Sequence, residues 1–478
     1  KSFDPSKARA VPGVEQVVQV PSGVAVVARN FWSASQGRDV LQVEWDLGSG
    51  AEVDTDRILA SYREMARTPG AVALDKGDCD AALKAAARRL EAEYDVPYLA
   101  HAPMEPLNCA VRIEGERCEI WTGTQFQTVD QGAAATIAGV PPGNVAIHTP
   151  FLGGGFGRRA NPRADFVSEA VHVAKAAGVP VKVVWTREDD IRGGFYRPLF
   201  LHRIEVGVDP KGLPVAWKHA IVGQSIMAGT PFEPMLMKNG IDAVSVEGVV
   251  DSPYLEGVPA RRVFLHSPKN EVPVLWWRSV GNTHTAFAME SMIDELAHAA
   301  GVDPLRFRAT LLRNSPRHLG ALRLAAEKAG WGRPPPKGRA RGLAVHGSFG
   351  SVVAEVAEVS VEKERIRVHR VTCAIDCGLA VNPLGVEAQV QGSVAFGLGP
   401  ALRSAITIKG GRVQEGNFDD YQVLRLDEMP EVAVHIVPSQ ARMGGVGEPA
   451  TAPVAPAVAN AVFALTGKRL RSLPLRLG

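Results

Sequence analysis

Residues 150–159 read Pro-Phe-Leu-Gly-Gly-Gly-Phe-Gly-Arg-Arg and are the most informative stretch of the 478-residue chain. A strand pattern at 145–149 leads into this stretch, and a helix pattern over 161–177 follows it. Glycine loses more conformational freedom on folding than any other residue, so four glycines this close together need a backbone reason. We expect a flat loop whose free N–H groups are able to bind an anion or a cofactor oxygen.

The composition is that of an ordinary globular protein, with 46% hydrophobic and 22% charged residues. Its 53 basic and 51 acidic groups give a formal net charge of +2. This balance leaves no electrostatic footprint for nucleic acid, so we expect no nucleic-acid partner. The five cysteines contain no C-x-x-C pair, which argues against an iron–sulfur or structural zinc site within these residues.

The first 95 residues predict a β-rich module followed by a connecting helix. Alternating apolar and polar residues indicate strands, as in Val-Leu-Gln-Val-Glu-Trp at 40–45. Asp78 is a suitable N-cap for the helix, which would carry four residues on one face: Leu83, Ala86, Leu90 and Tyr94.

The rest of the chain divides at a proline-rich segment. Residues 332–338 read Gly-Arg-Pro-Pro-Pro-Lys-Gly, which is typical of a semi-rigid spacer and predicts a linker at 332–341. Strands and helices alternate over 96–331 and again over 342–478, so we expect a mixed α+β (α/β) fold with one domain on each side. The clearest helix patterns lie at 127–138, 161–177 and 454–466.

The glycine stretch alone leaves other functions open. Residues 155–160 match G-x-G-x-x-A, the fingerprint of a nucleotide-binding, Rossmann-like oxidoreductase, with Glu188 beyond the next strand. The match is weak, because three residues separate the strand from the turn and no regular βαβαβ series continues around it. A tight structural turn in a non-enzymatic scaffold subunit is a further alternative.

Four polar residues outside the stretch carry the functional signal: Gln125, Arg278, Gln389 and Glu448. Taken singly, the first three have ordinary explanations as a helix cap, a surface ion pair and a solvated helix residue. Glu448 differs, because it lies between Gly447 and a proline just before a very apolar helix. Loops on a fixed scaffold commonly carry catalytic groups, and this carboxylate suits that role better than a solubilising one.

In this order and spacing, the motifs resemble the molybdopterin-binding large subunit of the xanthine oxidase family of molybdenum hydroxylases, and within it the isoquinoline 1-oxidoreductase β-subunit branch. Four stretches spanning the chain carry the resemblance: VPYLAHAPMEPLN at 96–108, GGGFGRR at 153–159, WRSVG at 277–281 and GGVGEP at 444–449. The resemblance implies a partial hammerhead-like module at 1–95, molybdopterin-binding domain I at 96–331, and domain II with Glu448 at 342–478.

The resemblance also implies the site. Molybdenum in this family is held by a pterin dithiolene, here expected as the cytosine dinucleotide, with no direct protein ligand to the metal. Glu448 would be the general base, and Arg278 would stabilise negative charge developing on the substrate ring. The residues implied to contact the cofactor are Gln125, Gly154, Gly155, Phe156, Gly157, Arg158, Gln389 and Gly447.

The implied reaction inserts water-derived oxygen at an electron-poor carbon of an isoquinoline-like N-heteroaromatic ring. Aldehyde oxidation to a carboxylic acid by the same chemistry is the alternative. Ala160 stands where purine-oxidising members carry a substrate-binding glutamate, which argues against purines. Electrons would pass to [2Fe–2S] clusters on a separate small subunit, with a c-type cytochrome as a further partner.

Two more cofactor-gripping segments of the family, Gly-Gln-Gly and Gly-Gly-Ser, lie upstream of the region that matches residue 1. We therefore expect an N-terminal complement of the same protein, or a second chain, to supply them. Members of this branch are exported and associate with membranes through partners, so a periplasmic location is expected, with a cytoplasmic one as the alternative.

Overall fold

The computed structural model describes residues 2–477 of the chain. Its α-helices, in chain order, are α1 (Ser6–Arg9), α2 (Phe31–Val40), α3 (Thr55–Met65), α4 (Cys79–Ala85), α5 (Gln127–Ala138), α6 (Asp165–Ala177), α7 (Arg187–Arg192), α8 (Glu233–Leu236), α9 (Ala243–Val246), α10 (Pro253–Glu256), α11 (Asn282–Ala299), α12 (Pro304–Leu311), α13 (Pro316–Lys328), α14 (Pro383–Leu402) and α15 (Val454–Thr466).

The strands, also in chain order, are β1 (Ser2–Asp4), β2 (Val14–Val20), β3 (Gly23–Ala28), β4 (Gln42–Glu44), β5 (Ala71–Lys76), β6 (Arg88–Val96), β7 (Asn108–Glu114), β8 (Arg117–Trp121), β9 (Val145–His148), β10 (Val181–Val184), β11 (Phe200–Val208), β12 (Pro214–Gly223), β13 (Met237–Lys238), β14 (Ile241–Asp242), β15 (Ala260–His266), β16 (Arg339–Ser348), β17 (Ser351–Glu362), β18 (Arg365–Asp376), β19 (Ile408–Lys409), β20 (Arg412–Val413) and β21 (Glu431–Ile436).

Three larger sheets organise these strands. The first has the order β10-β7-β8-β9, the second β5-β15-β12-β11-β6, and the third β16-β17-β18-β21. Helices α5 and α6 pack against each other beside the first sheet, and α13 and α15 pack on the third. The predicted mixed fold of helices and strands is confirmed.

The first sheet contradicts the Rossmann-like interpretation. Strands β9 and β10, which flank the glycine stretch in sequence, lie at opposite edges of this sheet. The β7–β8 and β7–β10 pairs are antiparallel. A dinucleotide-binding unit needs parallel strands joined by its crossover helix next to the glycine turn, so that interpretation is wrong.

The predicted connecting helix is also wrong over its second half. Asp78 does cap a helix, since its side chain accepts a 3.0 Å hydrogen bond from the Ala81 N–H, but α4 ends at Ala85. Leu90 and Tyr94 lie instead on β6, where alternate residues are buried. Leu90 and Tyr94 have the i, i+4 spacing of a helix face, but the apolar residues at 90, 92, 94 and 96 alternate with the strand period of two, and this segment pairs with β11.

Two other predicted boundaries, the start of α6 and the end of the linker, differ from those in the structure. Helix α6 begins at Asp165 rather than at 161, because the Asn161 side chain accepts from the Arg163 N–H and forms a turn there. The last three residues of the predicted linker, 339–341, lie in β16. The domain boundaries themselves stay predictions.

Helix α11 is the central element that positions the site. It is buried along nearly its whole length and begins directly after residues 276–281. Phe287 of this helix packs edge-on against Tyr94 of β6, with ring centroids 6.0 Å apart. The same helix contacts α15 and β16, so one apolar core joins the second and third sheets around it.

Helix α15 is part of this core. With the turn before it, Pro449–Thr466 has the length and hydropathy (1.2) of a membrane span, yet 78% of the segment is buried inside the protein. Asn460 Nδ2 donates a 3.1 Å hydrogen bond to the Leu343 carbonyl, which holds the helix against β16.

Close approach of α15 to β16 depends on Gly342, and we expect Gly342→Ala to destabilise the fold. A Cβ there would overlap the backbone nitrogen of Ala461 and lie 2.5 Å from the Ala457 carbonyl oxygen. Overpacking against backbone should lower the free energy of unfolding by about 1–3 kcal/mol, measured by urea titration. The control is Gly320→Ala in α13, where nothing lies within 4 Å; it should be neutral or slightly stabilising. Equal stability of the two variants would contradict this packing.

Candidate active site

Three loops meet at one place. The glycine loop is residues 153–159, the tryptophan loop is residues 276–281, and the glutamate loop is residues 444–448. Arg278 joins all three, because its backbone N–H donates to the Phe156 carbonyl (2.9 Å) and its Nε donates to the Gly447 carbonyl (2.7 Å). Trp276 Nε1 adds a 3.2 Å hydrogen bond to the Gly157 carbonyl.

Arg159 fixes the shape of the glycine loop from inside. It is 1% exposed, and its guanidinium donates to the carbonyls of Gly154 and Gly123, both at 3.0 Å. Its Nη2 donates to the Glu105 carbonyl (2.9 Å) and to the Glu105 carboxylate (3.0 Å). The other end of the loop is held by the Gly153 N–H, which donates to the same carboxylate at 2.9 Å. The loop is therefore rigid before any ligand arrives.

The backbone of this loop accepts conformations that only glycine, or a residue under strain, adopts. Gly157 has φ +106°, and a Cβ there would lie 2.8 Å from the Trp276 carbonyl oxygen. A Cβ on Gly155 would overlap Gln125 Oε1. Phe156 has φ +54°, a left-handed value that costs on the order of 1–3 kcal/mol and persists only where the surroundings enforce it. Strain of this kind concentrates at functional sites.

Gln125 and Gln389 are both brought to the meeting point, and both have a fixed orientation. Gln125 Oε1 accepts from the Gly157 N–H at 3.2 Å. Gln389 Oε1 accepts from Arg278 Nη2, also at 3.2 Å. Within residues 2–477 neither side-chain NH₂ group has a protein partner, so each glutamine presents two N–H donors toward the open side of the site.

Glu448 is held by the tryptophan loop. Its Oε1 accepts from the Ser279 N–H at 2.8 Å, and its own carbonyl accepts from Ser279 Oγ at 3.1 Å. Ser279 has φ +81° and Val280 φ +48°, so this second loop also stores backbone strain. In the part of the chain that the structure describes, Oε2 of Glu448 has no partner, which leaves one carboxylate oxygen oriented and available.

Arg278 has its side chain committed to positioning. Besides its bond to Gly447, Nη2 donates to the Gln389 carbonyl at 3.3 Å. Burial lowers the pKa of its guanidinium, and the charge of Glu448 opposes that shift. Its Cζ lies 5.9 Å from the centre of the Phe396 ring. Arg278 thus links the predicted base, Glu448, to the predicted cofactor contact at Gln389.

An aromatic stack packs behind these polar groups. Phe396 lies between Phe156 and Trp277, with centroid distances of 4.2 and 4.3 Å. Phe396 and Gln389 are seven residues apart on α14 and share one face of that helix. The stack therefore sets the position of α14, and with it Gln389, relative to the glycine loop.

The structure does not bring the side chain of Arg158 to the other predicted residues. It is 2% exposed and donates twice to Asp165, at 3.1 and 2.7 Å. Its Cζ lies 5.0 Å from the Phe195 ring and 5.6 Å from the Trp185 ring. Only its backbone N–H takes part in the loop, by donating to the Gly155 carbonyl at 2.9 Å.

Sequence reasoning missed Arg159, Ser279, Phe396 and Glu247 as site residues. For Arg159 the sequence gives no signal that separates it from the adjacent Arg158, because the burial and pairing of either side chain depend on the folded structure. Ser279 and Phe396 gave none, since their roles depend on partners far away in sequence. Glu247 accepts from the Gly281 N–H at 2.8 Å, at the start of α11. Burial raises the pKa of Glu247 to about 8, and the charges of Asp251 and Glu448 add to that shift.

Comparison with known proteins bears on this geometry. Two family models, each described as a molybdopterin cofactor-binding domain, match residues 64–312 and 289–430. Isoquinoline 1-oxidoreductase subunit beta of Brevundimonas diminuta is 33% identical over 99% of this chain. The membrane-bound aldehyde dehydrogenase (pyrroloquinoline-quinone) of Gluconacetobacter polyoxogenes is 29% identical over 100% of it. The chain spans 62% of the first relative's length and 66% of the second's.

A solved structure shows the same fold. The crystal structure of quinoline 2-oxidoreductase from Pseudomonas putida 86 superimposes with a TM-score of 0.78. The match covers 99% of this chain and 91% of that one, at 15% sequence identity. At this identity the likeness extends to the fold, so site roles have to be argued from the residues of this chain.

Replacing Arg159 with lysine should release the glycine loop. Lysine keeps the charge but lacks the fork that reaches several acceptors at once, and it leaves buried carbonyls unpaired. We expect Arg159→Lys to lower the free energy of unfolding by about 3 kcal/mol, measured in urea. The exposed Arg163→Lys, four residues on, should change it by less than about 0.5 kcal/mol. If Arg159→Lys were as stable as Arg163→Lys, the glycine loop would not depend on the guanidinium of Arg159.

Glu247 predicts a pH dependence of stability. With a folded pKa near 8 against 4.5 when exposed, the folded protein holds a proton that the unfolded chain has lost between these values. Stability therefore falls as pH rises through this window, by up to about 1.4 kcal/mol per pH unit. Glu247→Gln keeps an oxygen for the Gly281 N–H but cannot titrate.

We expect this variant to lose part of the decline in Tm between pH 5 and pH 8, and to be more stable than the wild type at pH 8. Glu364→Gln, at an exposed position, should keep the wild-type slope. Parallel Tm curves for the wild type and Glu247→Gln would contradict the raised pKa.

Proposed function

The chain belongs to the molybdopterin-binding large subunits of the xanthine oxidase family, and on that premise we propose that it supplies the general base and one wall of the cofactor site in a molybdenum hydroxylase. The proposed reaction is hydroxylation of an electron-poor carbon in an isoquinoline-like N-heteroaromatic substrate. The observation that carries the proposal is Glu448, whose Oε1 is held by the Ser279 N–H while Oε2 has no partner among residues 2–477.

The donor set fits the proposed cofactor. Gln125 and Gln389 each have the amide oxygen occupied by a protein donor, so the remaining NH₂ groups suit oxygen acceptors on an anionic ligand. Preorganised donors of this kind stabilise fixed or developing negative charge without reorganising. When bound, the molybdenum cofactor supplies the two-electron redox centre and the activated, water-derived oxygen.

The chain's own residues then move and hold the proton. Glu448 would accept the proton at Oε2, while the hydrogen bond from the Ser279 N–H to Oε1 fixes the orientation of the carboxylate. Arg278 keeps Glu448 in place through Gly447, and it keeps Gln389 oriented through the Oε1 contact. The strained glycine loop presents its backbone beside them, with Gly154, Gly155, Phe156 and Gly157 as proposed cofactor contacts.

The substrate class rests on two supports. The first relative is named an isoquinoline 1-oxidoreductase. Ala160 offers no carboxylate to a purine ring. Aldehyde oxidation is the second candidate, because another relative of similar coverage is named an aldehyde dehydrogenase. A nucleotide-binding, Rossmann-like oxidoreductase has no such support, given the strand order of the first sheet.

The partners and location are proposed on the same premise. Since the chain spans 62% of the first relative, we propose that an N-terminal complement or second chain completes the site. A small [2Fe–2S] subunit would accept the electrons, with a c-type cytochrome beyond it. We further propose the cytosine dinucleotide form of the pterin and a periplasmic complex held at the membrane by its partners.

Glu448→Gln tests the base. Glutamine can still accept from the Ser279 N–H, but it cannot take a proton, so kcat/KM should fall about 10²–10⁴-fold in the assembled complex. Molybdenum and pterin content should stay near one per chain in both proteins. Glu116→Gln, at an exposed position in the turn between β7 and β8, is the control and should keep full activity.

The assay should use isoquinoline and an aldehyde side by side. Faster turnover of the aldehyde would favour the second candidate, and full activity of Glu448→Gln on both would exclude Glu448 as the base. A purified complex that holds a nicotinamide nucleotide and no molybdenum would overturn the proposed function.

A further inference from the structure

A small cavity lies directly behind the tryptophan loop. The cavity volume is about 10 Å³, which leaves room for one small occupant. Trp276, Trp277, Val280 and Gly281 form one side of it. The remaining lining is mostly apolar, with two buried cationic or titratable side chains among it: Arg197 and His284.

Arg197 is a buried arginine without a counter-ion. It is 3% exposed, and Nη2 donates to the Pro97 carbonyl at 2.6 Å. Nε has no partner, and no carboxylate of residues 2–477 lies within 4.0 Å of the guanidinium. Burial lowers the pKa of Arg197 to about 9, so it remains a cation at neutral pH. An uncompensated buried charge is costly unless something pairs with it.

His284 ends a line of three buried histidines. His219 Nε2 lies 2.8 Å from His202 Nδ1, and His202 Nε2 lies 2.9 Å from His284 Nδ1. His219 Nδ1 and His284 Nε2 are buried without a partner. Burial lowers the pKa of all three rings, so each is neutral at pH 7 and carries one N–H.

The two hydrogen bonds force all three N–H groups to point in one direction along the line. If they point toward His219, that ring ends with an N–H buried without an acceptor, which folded proteins avoid. If they point toward His284, His219 ends on a bare lone pair, and the unpartnered N–H lies on His284 Nε2, which lines the cavity. Only this direction lets an acceptor held in the cavity pair with the last N–H of the line.

We propose that this cavity binds one small monovalent inorganic anion of halide size, between Arg197 Nε–H and His284 Nε2–H. Two donors and a cation line the same space, and Ser245 adds a hydroxyl, while the surrounding Phe200, Val244 and Leu275 are apolar. A water molecule there would leave the buried charge of Arg197 without a counter-ion, whereas a halide accepts both hydrogen bonds and carries the compensating charge. The anion supports the tryptophan loop from behind, and this site does not depend on the proposed function.

Bromide in place of chloride tests the site. Crystals of the purified complex grown in sodium bromide should show an anomalous peak at bonding distance from both nitrogens. In solution, the Tm of the wild type should rise by about 1–3 °C for each tenfold increase in chloride or bromide above Kd, at constant ionic strength against gluconate. This measurement needs no variant, so it stands even where a variant fails to fold.

Arg197→Gln should lose the halide dependence of Tm. The control is Arg203→Gln on β11, which replaces a partly exposed arginine paired with Glu91 and should keep that dependence. An anomalous map without a peak in the cavity would overturn the proposal. So would a wild-type Tm that is the same in halide and gluconate. Neither the anomalous peak nor the halide dependence of Tm requires turnover at Glu448. Failure of this anion site and failure of the proposed function are therefore distinguishable.

Discussion

A guanidinium taken out of water must find acceptors for its N–H groups, and Arg159 finds them in Gly154, Gly123 and Glu105. These acceptors come from the glycine loop, from the segment after β8 and from the segment before β7. The Glu105 carboxylate also accepts a hydrogen bond from the Gly153 N–H, which fixes the loop at a second point. Once this contact is made, the left-handed backbone of Phe156 is enforced, and the Phe156 carbonyl is in place for Arg278. The hydrogen bonds of Arg278 then connect this loop to Gly447 and Gln389.

Much of the fold could be predicted where local signals agree. Helix α5 spans Gln127–Ala138, as its pattern predicts, and Gly139 ends it with φ +79°. Helix α15 likewise spans the predicted residues 454–466. The connecting-helix prediction extends the i, i+4 spacing of Leu90 and Tyr94 and overlooks the alternation at 90, 92, 94 and 96, which is the strand period and belongs to β6, paired with β11. The order of strands in the first sheet depends on such pairings throughout.

The site residues also divide into those that the sequence predicts and those that it does not. Gln125, Arg278, Gln389 and Glu448 could be predicted as a set from their motifs, and the structure brings them together. Arg158 and Arg159 are adjacent and chemically alike, so the sequence cannot say which one turns into the loop and which pairs with Asp165. The three histidines lie on two strands and a helix, and their alignment exists only in the packed core. Their roles follow from burial, which single-sequence patterns do not reveal.

The hydrogen bonds that join the three loops also connect residues that are far apart in the sequence. Arg278 and Gly447 are 169 residues apart, and Arg278 and Gln389 are 111 apart. Closing such long loops costs chain entropy, which the contacts of the assembled site must offset. Arg159, by contrast, lies at most 54 residues from its partners. The base, Glu448, lies 169 residues beyond Ser279, so the complete site depends on segments spread over nearly the whole chain.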